Sequence, residues 1–232
     1  MSLINVKDVK KIYNGGEGEV AALGGVSFNV EDGEFISLMG PSGSGKSTLL
    51  TMLGAMNPPT SGAVIIDGID IYDLPNEKRA DFRSEYLGFV FQQFQLIPYL
   101  NSMENVMLPL AITGKSNREQ VKMASAVLEK VGLGSKGNRL PNQLSGGEQE
   151  RVAIARAIVN EPPILFADEP TGALDSKTGE EIINLFKQLN REGQTIIMVT
   201  HNPEFLSHVK RAIFIRDGIL DETKHPEKQI AV

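Results

Sequence analysis

Gly40-Pro41-Ser42-Gly43-Ser44-Gly45-Lys46-Ser47 is the stretch that decides the fold. It satisfies GxxxxGK[ST] at every fixed position, and its flanks agree. Phe35-Ile36-Ser37-Leu38-Met39 before it is a short apolar run that reads as a buried strand, and 46–55 after it reads as a helix. Glycines let backbone N–H groups converge on phosphate oxygens with no Cβ in the way. The helix that starts there aims its positive end at the anion. Lys46 then neutralises β- and γ-phosphate charge, and the Ser47 hydroxyl can ligate Mg2+. Together with Thr48, these residues are the expected nucleotide cradle. No Asn/Thr-Lys-x-Asp guanine signature occurs, which favours ATP.

Outward from this loop, apolar strands and helical stretches alternate. Residues 4–9 and 20–30 cluster apolar residues around Gly15-Gly16 and Gly24-Gly25 and read as antiparallel β structure. Further strands are expected at 63–67, 87–91, 164–167 and 195–200, and a hairpin at Asp217-Gly218. Helices are expected at 148–160 and 177–191, with Ser102 and Ser116 as caps of two more and a short one at 203–209. Alternation of this kind predicts an α/β fold with a largely parallel sheet. The helical block of about 93–160 interrupts it and reads as an inserted lobe. The expected division is a β subdomain plus P-loop core at about 1–92 and 161–232, with that lobe between them.

A second chemical signal is Asp168-Glu169, two acids closing the apolar run Ile164-Leu165-Phe166-Ala167. Ligands of a parallel sheet sit at the carboxyl ends of strands, so this pair is expected to share the crevice of Lys46 and Ser47. Asp168 would support Mg2+ and Glu169 would polarise the attacking water as general base. His201 and Gln92 end other apolar strands. Spacing alone leaves each open: His201 is either a structural or solvated surface residue or a γ-phosphate contact, and Gln92 could serve as a neutral oxygen donor to Mg2+ or the water.

Leu144-Ser145-Gly146-Gly147-Glu148 opens the 148–160 helix. Ser145 and Glu148 have capping-box spacing, which accounts for both. Capping gains nothing from the two glycines, which cost helix propensity. A glycine pair at a helix start does make an open anion site. Because this second site belongs to the lobe, the pattern suggests a head-to-tail dimer in which each copy completes the other's site. Glu150 adds an acid to the same helix, within ion-pairing reach of Arg151 or Arg156 at best.

Bulk properties narrow the field. The chain has 232 residues, 23 Lys plus Arg against 29 Asp plus Glu, and no cysteine. A net charge of −6 gives no general attraction to nucleic acid, and disulfide, thiolate-metal and thiol chemistry are excluded. The start has no signal-peptide order, and no apolar run approaches the ~20 residues of a membrane helix. Any membrane role is expected to come through a partner.

Taken together, the P-loop, Gln92, LSGGE at 144–148, Asp168-Glu169, Ala173-Leu174-Asp175 and His201 resemble the ATP-binding subunits of ABC transporters, in that family's order. VFQQFQLIP, LSGGEQERVAIARA and ADEPTGALDSKTG are similar to the subgroup serving lipoprotein release, macrolide export and antimicrobial-peptide resistance. The resemblance implies a P-loop NTPase fold, ATP and Mg2+, an ATP-dependent dimer of two copies, and a permease partner holding the chain at the inner face of the cell membrane. By the same resemblance Tyr13 stacks on adenine, and Gln92 senses γ-phosphate and ligates Mg2+. It also implies that Ser145, Gly146, Gly147 and Glu148 meet the other copy's ATP, that 173–175 lies on the dimer seam, and that His201 is a γ-phosphate switch. Glu148, Gly172 and Asn202 depart from the commoner Gln, Ser and Asp. Rival readings are an ABC-type ATPase that moves a cell-envelope regulator instead of a substrate, a ribosome or nucleic-acid ATPase, and a non-hydrolysing module. The apolar 94–100 segment reads both as lobe core and as a groove for a short helix of the membrane subunit.

Overall fold

A computed structural model describes residues 2–15 and 18–221. In chain order the elements are β1 (Ser2–Gly15), β2 (Gly18–Glu31), β3 (Phe35–Met39), α1 (Lys46–Leu53), β4 (Ser61–Ile66), β5 (Ile69–Asp70), α2 (Asn76–Tyr86) and β6 (Leu87–Val90). There follow α3 (Ser102–Met107), α4 (Asn117–Lys130), α5 (Gly146–Ile158), β7 (Ile164–Asp168), α6 (Ser176–Arg191), β8 (Thr195–Val199), β9 (Arg211–Arg216) and β10 (Ile219–Leu220). The fold is α/β. Two compact units divide it: residues 1–83 with 190–232, and residues 84–189. No helix among the described residues is long and apolar enough to cross a membrane.

The first unit holds an antiparallel sheet in the order β2-β1-β4-β5. Of the glycine-rich turn expected at Gly15-Gly16, Gly16 lies outside the described residues. The same unit holds β3 in parallel pairing with β8 on one side (Leu38 opposite Val199) and β9 on the other (Leu38 opposite Ile213). Both faces of β3 are covered, and all five residues are buried. That is why its sequence is a continuous apolar run rather than an alternating one. Asp217 and Gly218 both take positive φ (49° and 77°) and join β9 to β10, as the hairpin reading requires. The short helix expected at 203–209 is a 3-10 turn, Pro203–His208.

In the second unit β6 and β7 run parallel, Leu87 opposite Ile164. The lobe helices expected within 93–160 all belong here, and α5 packs against α3, α4 and β6. Their starts are fixed locally. Ser116 and Glu119 form a capping box on α4, as do Ser145 and Glu148 on α5. Such a cap contributes about 1 kcal/mol. One expected cap is corrected: Asn101, not Ser102, caps α3, with its side chain accepting from Glu104 N. Ser102 is instead buried and donates its hydroxyl to Arg139 O at 3.0 Å. Both residue types suit a cap, and the neighbour carrying the carboxamide took it.

Candidate active site

In the first unit, the loop between β3 and α1 is shaped by what glycine permits. Gly40 has φ 151°, and a Cβ there would stand 2.0 Å from Ile215 O. Gly43 has φ 78° and open space around it, so the crest of the loop lies free for an anion. The N-cap of α1 is Gly45, which supplies no side-chain partner for the first-turn N–H groups. Lys46 is buried, and its ammonium donates to Gly40 O at 2.8 Å and Pro41 O at 2.7 Å. Ser42 and Ser47 are exposed, and Thr48 half-buried. A glycine crest, an uncapped helix start and a cation drawn over the loop fit a polyphosphate. His201 follows the end of β8, which is β3's parallel neighbour, and is exposed. Tyr13, on β1, is 41% exposed, accepts from Asn57 Nδ2 at 2.7 Å and carries the Lys11 ammonium 5.2 Å from its ring centroid.

In the second unit, β6 and β7 end side by side and deliver Gln92 and Asp168-Glu169. Gln92 Nε2 donates to Glu169 Oε2 at 3.1 Å. Glu169 sits at φ 48°, a strained conformation for a non-glycine residue and one found disproportionately at functional sites. At Gly172, one of the departures from the family pattern, an added Cβ would lie 3.3 Å from Glu169 O and at ordinary contact distance from Glu169 Oε2 (3.5 Å) and Gln92 Nε2 (3.6 Å), so nothing in the structure explains the glycine. Asp168 is half-buried at the end of β7.

The 144–148 tip is built as expected around its capping box. Ser145 Oγ accepts from Glu148 N at 3.3 Å, and Glu148 Oε2 accepts from Ser145 N at 3.0 Å. Glu148 is also paired with Lys136, and these donors hold its carboxyl below the usual range, Lys136 first. Its carboxylate is thus engaged within its own chain. On the adjoining helix, Asp175 accepts from Thr178 Oγ1 at 2.6 Å and Thr178 N at 3.1 Å. These bonds, the hydroxyl's first, lower its pKa.

Residues 23–172 match the ABC transporter family. The chain is 47% identical over 216 residues to the Bacillus subtilis ABC transporter ATP-binding protein YknY, covering 93% of this chain and 94% of that one. This chain belongs to the ABC transporter family. It is an ATPase cassette of that family. It is also 48% identical over 224 residues to the macrolide export ATP-binding/permease protein MacB of Syntrophobacter fumaroxidans, spanning 95% of this chain but only 31% of that longer relative. Among solved structures it resembles the ATP-binding cassette MJ0796 of Methanocaldococcus jannaschii, a dimer bound to ADP and Pi, with 47% identity, a TM-score of 0.87 and coverage of 94% and 97% of the two chains.

One residue of this ABC cassette contradicts its expected surroundings. Glu150 is 0% exposed, and neither carboxylate oxygen has a hydrogen-bond partner. The anticipated arginines are engaged elsewhere. Arg151 donates to Val131 O (3.1 Å) and Glu181 (3.2 Å), while Arg156 donates to Phe94 O (2.7 Å) and Gln95 O. Phe94 and Gln95 both have positive φ (58° and 49°), and the planar guanidinium serves two adjacent carbonyls of that turn. Burial pushes the Glu150 carboxyl up to about 8, with Arg156 pulling the other way. A signal was present: position 150 lies on the helical stripe of Gly147, Ile154 and Ala157, all buried.

Proposed function

We propose that two copies of this cassette close head to tail around two Mg-ATP and drive a membrane permease. The observation that carries the reading is the Gln92–Glu169 contact at the ends of β6 and β7, in a chain whose glycine crest and Lys46 suit a polyphosphate. Lys46 and the loop N–H groups would bind the phosphates, and Tyr13 would hold the base. Ser47, Asp168 and Gln92 would hold Mg2+, which when bound neutralises charge between β- and γ-phosphate oxygens. Glu169, held by Gln92, would take the proton of the water attacking γ-phosphate in line. Ser145, Gly146 and Gly147 would contact the γ-phosphate bound by the other copy, and His201 would respond to its loss. The dimeric state of the MJ0796 cassette supports this reading.

The helical lobe at about 93–160 would take the permease, keeping the cassette at the inner membrane face. Both readings of 94–100 have support: Phe94 and Leu96 are half-buried, whereas Tyr99 is 88% and Ile97 42% exposed. Beside α4, a groove of about 370 Å³ is lined by apolar Met123, Ala126, Val127 and Val159 together with two cations, Lys115 and Lys122, and two acids, Glu119 and Glu161. A short amphipathic helix of the permease fits this chemistry. The cargo in this reading is a lipoprotein, peptide or amphiphilic drug that the permease exports or extracts, and the likeness to a macrolide export protein supports the last of these.

Glu169→Gln tests the mechanism. ATP binding persists, hydrolysis falls by at least about a hundredfold, and light scattering detects an ATP-dependent dimer. Turnover at the unaltered rate would remove Glu169 as base.

A further inference from the structure

The glycines of the α5 tip have neighbours within their own unit. An added Cβ at Gly147 would lie 2.3 Å from Thr178 Cγ2, and one at Gly146 would lie 3.3 Å from Leu174 Cδ2. Real Cβ atoms essentially never approach another heavy atom as closely as the first figure. Gly147 itself is buried and lies inside α5, so positive φ is not the reason it is glycine.

A threonine methyl ordinarily yields by rotating about χ1. Thr178 is held against this. Its Oγ1 donates to Asp175 Oδ2 at 2.6 Å and its N to Asp175 Oδ1 at 3.1 Å, at the start of α6. Turning the methyl away from position 147 swings the hydroxyl off the carboxylate, and few rotamers suit a β-branched residue in a helix.

We propose that Thr178 is a positioning residue for the α5 tip: its methyl, fixed by Asp175, forms the seat on which the backbone at Gly147 rests, and this close seat is what excludes any side chain at 147. Asp175 and Leu174 belong to the segment read as the dimer seam, so the seat ties the tip to that seam within one chain. The inference rests on the reading of the tip as the group that meets the other copy's ATP.

The test uses the full chain carrying Glu169→Gln, alone and combined with Gly147→Ala, Thr178→Ser, or both. Thr178→Ser deletes the obstructing methyl and keeps the hydroxyl. ATP-dependent dimerisation is followed by light scattering, and binding of a fluorescent ATP analogue to the monomer in parallel. Gly147→Ala is expected to weaken dimerisation by at least about tenfold with monomer binding unchanged, and the double variant to return within about threefold of the parent. A double variant no better than Gly147→Ala, or a Gly147→Ala that dimerises like the parent, overturns the seat. If the parent itself stays monomeric with ATP, the dimer reading fails. Thermal melting then decides the seat: Gly147→Ala lowers Tm and Thr178→Ser restores it, or the seat is wrong. The same melting comparison applies if Gly147→Ala folds poorly.

Discussion

The loop after β3 and the tip of α5 are both glycine-bearing helix starts, and each is followed by a buried ionisable side chain. The loop's glycines take left-handed conformations, and Gly43 faces open space. The tip's glycines are helical and packed against Leu174 and Thr178. The buried ionisable groups differ too. Lys46 is met by two carbonyls, whereas Glu150 has no hydrogen-bond partner on either oxygen. Identical residue types therefore answer different demands: backbone conformation and ligand access in one place, close approach of a neighbouring helix in the other.

The harshest way to break this comparison is Gly40→Ala. Its obstruction is the backbone carbonyl of Ile215 at 2.0 Å, which no side-chain change can remove. Nucleotide affinity should fall by about a hundredfold or more in a fluorescence titration, with no second-site rescue at 215, in contrast to the rescue expected at the tip.

Glu150→Met sharpens the comparison of the buried ionisable groups. The folded pKa of Glu150 is raised from 4.5 to about 8, so its favourable, protonated state is fully present below pH 4.5 and is lost as pH rises through about 8. Wild-type stability should therefore decline across that window, by up to about 1.4 kcal/mol per pH unit. The methionine variant should lose this slope and gain roughly 2 kcal/mol at pH 8, measured by urea unfolding.

Glu148→Gln should have the smallest effect. Glutamine keeps the capping box, and the lost pair with Lys136 is partly exposed, so stability should change by less than about 1 kcal/mol in the same unfolding experiment. A larger loss would make the Lys136 pair a principal anchor of the tip.

What the sequence determined was the local chemistry: the apolar runs of β3, β7 and β8, the Asp217-Gly218 hairpin, the boxes at Ser116 and Ser145, and the phosphate loop. Each depends on hydrogen bonds or periodicity among residues a few positions apart, so the order of residue types suffices. Tertiary structure alone decided that Thr178 meets Gly147, that Gln92 meets Glu169, and that Arg156 serves the Phe94 turn and leaves Glu150 without a hydrogen-bond partner. Those outcomes depend on which distant segments pack together and on contacts of a few ångströms, and one-dimensional spacing carries neither.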